Sequence, residues 1–130
     1  ALPADDPLAA KSQIRVRDLA DKALIVHSAG RSSVMYDVVQ RLLRDADIAA
    51  KVRHEVGETS TLVTLVAGGL GAAIVPEPVS ALALDGVVYR RLVRPVTTVE
   101  LALAHRADRS EPHLARAVDV IRDVIGVSGG

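Results

Sequence analysis

The residues best suited to binding chemistry cluster in one polar segment that follows an apolar run. His27 and Ser28 open the segment, Gly30 lies within it, and it closes with Arg31, Ser32 and Ser33. Hydroxyl groups, an arginine and the free N–H groups at the start of a helix together suit an anion such as a carboxylate. A glycine lets the backbone approach a bound molecule closely. The candidate ligand-binding residues here are Ser28, Gly30, Arg31, Ser32 and Ser33.

Two further segments carry related chemistry. Thr59 and Ser60 stand at the start of a second predicted helix, and Pro76 and Glu77 follow a third apolar run. Ligands of open parallel α/β sheets bind outside the carboxyl ends of the strands, and all three segments follow predicted strands. Thr59 and Pro76 therefore join the candidate ligand-binding residues. The alternative is that the serines and threonines only cap helices and that Arg31 is a solvated surface residue.

The hydrophobic pattern supplies the elements that would position these segments. Short apolar runs predict strands buried on both faces at 23–26 and 72–75, and a less apolar run at 51–56 predicts a strand nearer the edge. Apolar stripes with helical spacing predict helices that begin just before Val34 and at Thr59. The alternation of strands and helices indicates an α/β fold with a parallel sheet covered on both faces.

The second half of the chain departs from this alternation. A short helical turn is predicted for 78–84, and strands are predicted for 87–92 and 98–106. A last helix is predicted after Ser110-Glu111-Pro112, which would cap it, and its apolar stripe runs to Ile125. These elements extend the fold beyond the strand and helix repeats.

Composition excludes several functional classes. The 130 residues predict one domain or a piece of a larger one, and 49% apolar with only 2% aromatic residues predicts a core of Ala, Val, Leu and Ile. A formal net charge of zero excludes a self-sufficient basic DNA-binding module. The absence of cysteine excludes disulfides, thiolate zinc sites and a cysteine nucleophile. No apolar run is long enough to predict a membrane span.

Several possible motifs are better explained by structural roles. The run Gly68-Gly69-Leu70-Gly71 ends a predicted helix and enters a strand, the reverse of a nucleotide-binding loop, so a structural turn is predicted. The four histidines are too scattered to predict a metal site. The arginines at 90, 91 and 94 are interpreted as a solvated basic edge. No catalytic residue, metal ligand or cofactor site is assigned.

Four segments together resemble the LysR-type transcriptional regulators. Residues 2–9, LPADDPLA, are similar to that family's LPxxHPLA, and residues 65–76, LVAGGLGAAIVP, are similar to its LVAAGLGVALVP. Residues 87–92, VVYRRL, resemble VVYRPL, and residues 100–108, ELALAHRAD, resemble ELALAWRxD. Their order and spacing agree, and the resemblance covers residues 1–125. The departures are Asp6, Arg91 and His105, where His, Pro and Trp are common.

The resemblance implies an α/β fold: one Rossmann-like lobe of a periplasmic-binding-protein type II fold, with part of the second lobe as a strand plus a C-terminal helix. Residues 1–13 would be the connector from a missing first lobe, 14–96 effector-binding lobe two, and 97–130 the returning strand and C-terminal helix. Independently, the only methionine is Met35 and the chain begins at Ala1. We therefore expect a piece of a longer protein.

The resemblance also implies the function. The chain would be the ligand-sensing fragment of a DNA-binding transcriptional regulator, with a small organic acid or metabolite in an inter-lobe cleft and without enzymatic activity. DNA would be contacted only through a missing N-terminal winged helix-turn-helix domain. The intact protein would be a cytoplasmic homo-oligomer without a membrane partner. Two alternatives stay open: a solute-binding protein of a transporter, and a small α/β hydrolase using His27 with Ser28 or Ser32.

Overall fold

The computed structural model describes residues 1–30, 34–93 and 112–125. The chain divides into two units, Ala1–Val99 and Glu100–Gly130, and each is taken by itself. The predicted strand at 98–106 and the cap at Ser110 lie outside the described residues. The strands are β1 (Leu2–Pro3), β2 (Gln13–Ile14), β3 (Ala23–His27), β4 (Lys51–Val56), β5 (Val87–Val88) and β6 (Arg91–Leu92), and the helices are α1 (Val34–Asp45), α2 (Thr59–Ala67) and α3 (Pro112–Ile125).

Backbone hydrogen bonds place the strands of the first unit side by side. β3 pairs in parallel with β4, and on its other side Leu24 forms a parallel bridge with Ala72. Ala73 then exchanges backbone hydrogen bonds of 2.8 and 2.9 Å with Ala1, and β1 pairs antiparallel with β5. The resulting order is β4, β3, residues 72–73, β1, β5. A separate short parallel ladder joins β2 to β6.

β3 is an interior strand of this order that is covered on both faces, because its alternate side chains enter two different apolar clusters. Leu24 and Val26 pack in one cluster with the buried side of α1, whereas Ile25 packs in the other with α2. Side chains alternate between the faces of a strand, so a strand covered by helices on both faces must be apolar throughout. The prediction of a strand buried on both faces is confirmed. The buried residues that the helices contribute are Val38, Val39, Leu42 and Leu43 from α1, and Leu62, Val63 and Val66 from α2.

β4 is an edge strand, as its sequence predicted. Its residues are mostly exposed, and among the described strands it pairs with β3 alone. Lys51, Arg53 and Glu55 are charged and exposed, a composition that discourages pairing with another chain.

The glycine-rich run is a structural turn, as predicted. α2 ends with Gly68 as its C-cap, and Gly69 follows with a φ of 74°. At Gly71 a Cβ atom would lie 2.6 Å from the carbonyl oxygen of Ala23, so only glycine allows this close approach. The run therefore brings residues 72–73 against β3.

Three predicted elements take a different form. The strand predicted at 72–75 is reduced to the bridge at Ala72 and the bonds to Ala1. The strand predicted at 87–92 is two strands, β5 and β6, which pair with different partners. The helical turn predicted at 78–84 is a 3₁₀ helix over Glu77–Ala81. Local hydrophobicity cannot tell which neighbour a short strand finds, because pairing is decided by tertiary contacts.

The first 13 residues add to the same core. Leu2, Leu8 and Ala9 are buried, and the segment contains a 3₁₀ helix over Pro7–Ala10. Asp6 accepts hydrogen bonds from the Leu8 amide at 2.8 Å and from Lys22 at 2.7 Å. Burial alone would raise the pKa of Asp6, but these bonds hold it below its ordinary value. Asp6, which departs from the LysR-type motif, thus fastens the segment to the chain before β3.

The second unit contributes α3. Val120 and Ile121 of this helix are exposed. Across the described ranges, no helix is both long and apolar enough to cross a membrane.

Candidate ligand-binding site

Two of the predicted polar segments meet where β3 and β4 end. The Nε2 atom of His27 lies 3.0 Å from Oγ1 of Thr59, the first residue of α2. The backbone N–H of Ser28 donates to the carbonyl oxygen of Val56 at 2.9 Å, which extends the β3–β4 ladder by one residue. We call His27, Ser28 and Thr59 the polar corner. It lies at the carboxyl edge of a parallel strand pair, where the sequence predicted a ligand.

His27 is the unusual member of the polar corner. It is 6% exposed, it is the buried polar residue of the described core, and its Nδ1 atom has no hydrogen-bond partner among the described residues. Burial lowers the pKa of His27 below its ordinary 6.5, and the Glu58 carboxylate opposes this shift only in part. The imidazole is therefore neutral at pH 7 and carries one buried, unpaired nitrogen.

Of the remaining residues in the first predicted segment, the structure describes only Gly30 among the candidates. Gly30 is exposed, and a Cβ atom there would lie 4.0 Å from the Ser28 hydroxyl, so the structure leaves room for a side chain at this position. Arg31, Ser32 and Ser33 lie outside the described residues. Their assignment as ligand-binding residues stays a prediction.

A cavity of about 590 Å³ lies beside the segment that follows Ala73, within the first unit. Its volume is in the range of small-molecule sites, which are concave and mostly apolar. Pro76 lines it, whereas Ser28, Gly30 and Thr59 do not, and the assignment of these four residues to ligand binding stays a prediction. Apolar side chains that line it come from α1 and from the segment before β3: Ile14, Leu19, Met35, Val38 and Leu42. Polar side chains that line it come from residues 77–80 and 89–91: Glu77, Ser80, Tyr89, Arg90 and Arg91.

The two arginines of the cavity have different surroundings. Arg91 is exposed and pairs with the equally exposed Glu77 at 2.9 Å, so the solvated-edge interpretation suits it. Arg90 is half-buried: its Nε and Nη2 atoms donate to the Ala9 carbonyl oxygen at 3.0 and 2.6 Å, and Nη1 donates to the Tyr89 carbonyl oxygen at 2.9 Å. The solvated-edge interpretation is therefore wrong for Arg90, and Arg94 lies outside the described residues.

Sequence reasoning missed the cavity because its parts are far apart in the chain. Arg90 and Ala9, which it binds, are 81 positions apart. Met35 lies in the apolar pattern of α1, and that pattern does not distinguish a residue that lines a cavity from one that packs in the core. The one sequence feature that pointed to a buried arginine was Arg90, which directly follows residues 87–89 of the predicted strand. The second arginine, Arg91, favoured the interpretation of the pair as a solvated basic edge.

The described residues offer little for metal or hydrolytic chemistry. Within them, no group of three or more His, Cys, Asp or Glu side chains could hold a metal ion. A hydrolase would need His27 hydrogen-bonded to a serine and oriented by a carboxylate. Instead Nε2 of His27 bonds Thr59, and no described carboxylate bonds Nδ1.

Comparison with known proteins identifies the family. The family model described as the LysR substrate binding domain matches residues 1–125. Curated relatives include the HTH-type transcriptional regulator TtuA of Agrobacterium vitis, 36% identical over 89 residues, which cover 68% of this chain and 29% of TtuA. AlsR of Bacillus subtilis is 25% identical over 92% of this chain and 40% of its own length. The chain spans less than half the length of these relatives.

Solved structures agree with this family. The effector-binding domain of QuiR in complex with shikimate has a TM-score of 0.67 and 27% identity over 74% of this chain and 44% of QuiR's. HinK, a LysR family transcriptional regulator from Pseudomonas aeruginosa, has a TM-score of 0.75 at 23% identity over 95% of this chain and 42% of its own. These neighbours have the periplasmic-binding-protein type II α/β fold. With a family model that covers nearly its whole length, this chain belongs to the LysR substrate-binding domain family, whose relatives are transcriptional regulators.

Proposed function

We propose that this chain senses a small organic acid for a LysR-type transcriptional regulator. The observation that carries the proposal is the polar corner at the carboxyl ends of β3 and β4, inside a chain of this family. Parallel sheets bind ligands at this edge, because the strand ends leave polar loops and helix N-termini facing one opening. The effector-binding domain of QuiR, 27% identical, was solved in complex with shikimate, which is a small carboxylate.

The ligand-binding residues we propose are Ser28, Gly30, Arg31, Ser32, Ser33, Thr59 and Pro76. Arg31 precedes α1 in the sequence, so its guanidinium and the N-terminal amides of that helix would share one carboxylate. Thr59 stands at the start of α2, where the hydroxyl is held by His27. Pro76 follows the third predicted strand end and lines the cavity described above. No metal or cofactor is part of this proposal.

The sensing mechanism we propose is a shift between two arrangements of the regulator. A ligand that binds one arrangement better favours it by the difference in binding free energy, and the attached DNA-binding domains respond. In this scheme the chain supplies lobe two over residues 14–96 and part of lobe one over 97–130, with 1–13 as the connector. A winged helix-turn-helix domain elsewhere in the intact protein contacts DNA. The intact protein works as a homo-oligomer in the cytoplasm and catalyses no reaction.

The two alternatives receive less support. A solute-binding protein of a transporter has a similar two-lobed architecture, but the relatives reported above are transcriptional regulators. The hydrolase hypothesis needs Nε2 or Nδ1 of His27 to activate Ser28 or Ser32, whereas Nε2 bonds Thr59 and Nδ1 has no partner among the described residues.

Thermal stability provides the first test. A ligand that binds only the folded state raises the melting temperature in proportion to its occupancy. We expect shikimate, or another member of a panel of small mono- and dicarboxylates at millimolar concentration, to stabilise the chain. The corresponding amides and alcohols should not. A panel in which no carboxylate stabilises the chain or the intact regulator would contradict the proposal.

A matched pair of arginine variants localises the effect. Arg31→Ala should remove the stabilisation by the active carboxylate, because the cation nearest the start of α1 is lost. Arg44→Ala removes the same charge from an exposed residue in the last turn of α1 and should leave the stabilisation intact. If Arg31→Ala responds to the carboxylate like the wild type, the carboxylate is held elsewhere.

A further inference from the structure

The cavity beside residues 73–77 combines an apolar interior with a half-buried cation. Leu19, Val38 and Leu42 are core residues, yet each also borders the cavity. Arg90 lines the same cavity and forms no ion pair with any described carboxylate. A charge that is partly removed from water without a counter-charge is costly, so its retention calls for a second role.

The hydrogen bonds of Arg90 leave part of the guanidinium unused. The group has five N–H donors in a planar fork. Three are taken by backbone carbonyl oxygens, two at Ala9 and one at Tyr89. One N–H on each terminal nitrogen has no partner among the described residues. Because the bonds made are to neutral oxygens, the guanidinium is fixed in place while its charge stays available.

The neighbouring arginine does not share this property. Arg91 is paired with Glu77 at 2.9 Å, and both are largely exposed, so their charges cancel at the rim of the cavity. Of the two arginines that line the cavity, Arg90 is therefore the one whose charge is not paired with a described carboxylate. A guanidinium of this kind suits a carboxylate, which accepts two parallel N–H bonds in the plane of the fork.

We propose that Arg90 anchors the carboxylate of an amphiphilic monocarboxylic acid whose apolar body fills the cavity between α1 and residues 73–77. This inference goes beyond the proposed function, since it assigns a ligand site that is separate from the polar corner: Ser28, Gly30 and Thr59 do not line the cavity. The lining selects an aliphatic or alicyclic body, because Ile14, Leu19, Val38 and Leu42 supply branched aliphatic surface and the cavity volume exceeds that of a six-carbon ring acid.

Met35 makes the proposal directly measurable. It is the only methionine of the chain and it lines the cavity. A ¹³C-methyl methionine label therefore places one NMR reporter at the proposed site, and Met35→Leu identifies its signal if a start methionine is added. Titration with cyclohexanecarboxylate should move the Met35 methyl signal and the Arg90 Nε resonance together. The neutral isostere cyclohexanecarboxamide should bind about 10- to 100-fold more weakly.

Two charge variants complete the test. Arg90→Gln should reduce the affinity for cyclohexanecarboxylate to that of the amide, whereas Arg53→Gln, which removes the same charge from the exposed edge strand, should keep the wild-type affinity. The comparison of acid with amide on the wild-type chain does not depend on whether Arg90→Gln folds. Equal affinity for acid and amide, or an Arg90 resonance that does not move, overturns the assignment of Arg90. An unmoved Met35 signal overturns the cavity as the site, while Arg31-dependent stabilisation by another carboxylate would leave the proposed function standing.

Discussion

The polar corner and the cavity differ in the charge and in the packing of their buried polar groups. At the corner, packing is complete: His27 is 6% exposed and neutral, and Thr59 satisfies one of its two ring nitrogens. At the cavity, packing is incomplete: Arg90 keeps its charge, and backbone carbonyls hold it beside about 590 Å³ of open space. Both regions lie toward the end of the sheet where ligands are expected.

The difference lies in how each buried polar group is held. A neutral imidazole costs little desolvation, and its bond to Thr59 links β3 to α2 beside the proposed ligand-binding residues. A guanidinium keeps its charge, and three bonds to backbone carbonyl oxygens hold it in place. We therefore expect variants of both regions to change stability, and variants of the proposed ligand-binding residues at the corner to change binding as well.

The largest expected effect comes from the same truncation made on both sides of the sheet. Leu62 in α2 is fully buried away from the cavity, whereas Leu42 in α1 is buried but borders it. Leu62→Ala should cost about 3–5 kcal/mol of unfolding free energy and Leu42→Ala about 2–3 kcal/mol, because Leu42 has fewer contacts to lose. Urea unfolding of the two variants measures both. Equal losses would mean that the cavity is filled in solution.

The next effect is at the polar corner. Thr59→Val keeps the shape of the side chain and removes the oxygen bonded to Nε2 of His27. Both imidazole nitrogens would then be unpaired, at a cost of about 1–3 kcal/mol. Thr61→Val, at an exposed position two residues along α2, is the matched control and should change stability by less than about 0.5 kcal/mol. Similar values for the two variants would show that the corner adds no stability through this bond.

The third effect is the pH dependence that His27 gives to stability. Its pKa is lowered in the folded state, so at low pH the unfolded chain binds a proton that the folded chain does not. The contribution is fully present above the unfolded pKa of about 6.5 and is lost as the pH falls below it. We expect unfolding free energies measured between pH 7.5 and 5.5 to fall less in His27→Gln than in the wild type. Parallel pH profiles would contradict the buried, neutral state of His27.

The last comparison is between the losses of unfolding free energy at the two arginines that line the cavity, and it includes the smallest expected loss. Arg91→Gln breaks an exposed ion pair with Glu77 and should change stability by less than about 1 kcal/mol, with little left in high salt. Arg90→Gln loses bonds to the Ala9 carbonyl, and a loss of about 1–3 kcal/mol is expected. Urea unfolding at low and high salt compares them. A larger loss for Arg91→Gln would contradict the greater contribution to stability expected from the bonds between Arg90 and Ala9.

The sequence predicted the layered core well and the pairing of short strands poorly. The apolar run at 23–26 and the helix stripes of α1 and α2 have strong periodicity, which reports burial directly. β1, β5 and β6 have two residues each, too few to show a period, and their partners lie up to about 85 positions away. The family resemblance, carried by four quoted segments, is confirmed by the family model over residues 1–125.

The candidate site was predicted in part. Strand-end reasoning placed Ser28 and Thr59 on neighbouring segments, and the structure brings those segments together through His27. Pro76 lines the cavity, apart from Ser28 and Thr59, and its assignment as a ligand-binding residue stays a prediction. Strand-end reasoning could not predict that Gly30 has room for a side chain, or that Arg90 turns toward Ala9, since both depend on contacts distant in the sequence.

What the sequence by itself determined is the set of elements and their burial: three parallel segments, two covering helices, and a turn at the glycine-rich run 68–71. These follow from local periodicity and from the preference for glycine just past the end of a helix. Only the tertiary structure decided which polar groups became neutral and which stayed charged. That outcome depends on burial and on partners from distant segments, as the contrast between His27, bonded to Thr59, and Arg90, bonded to Ala9, shows.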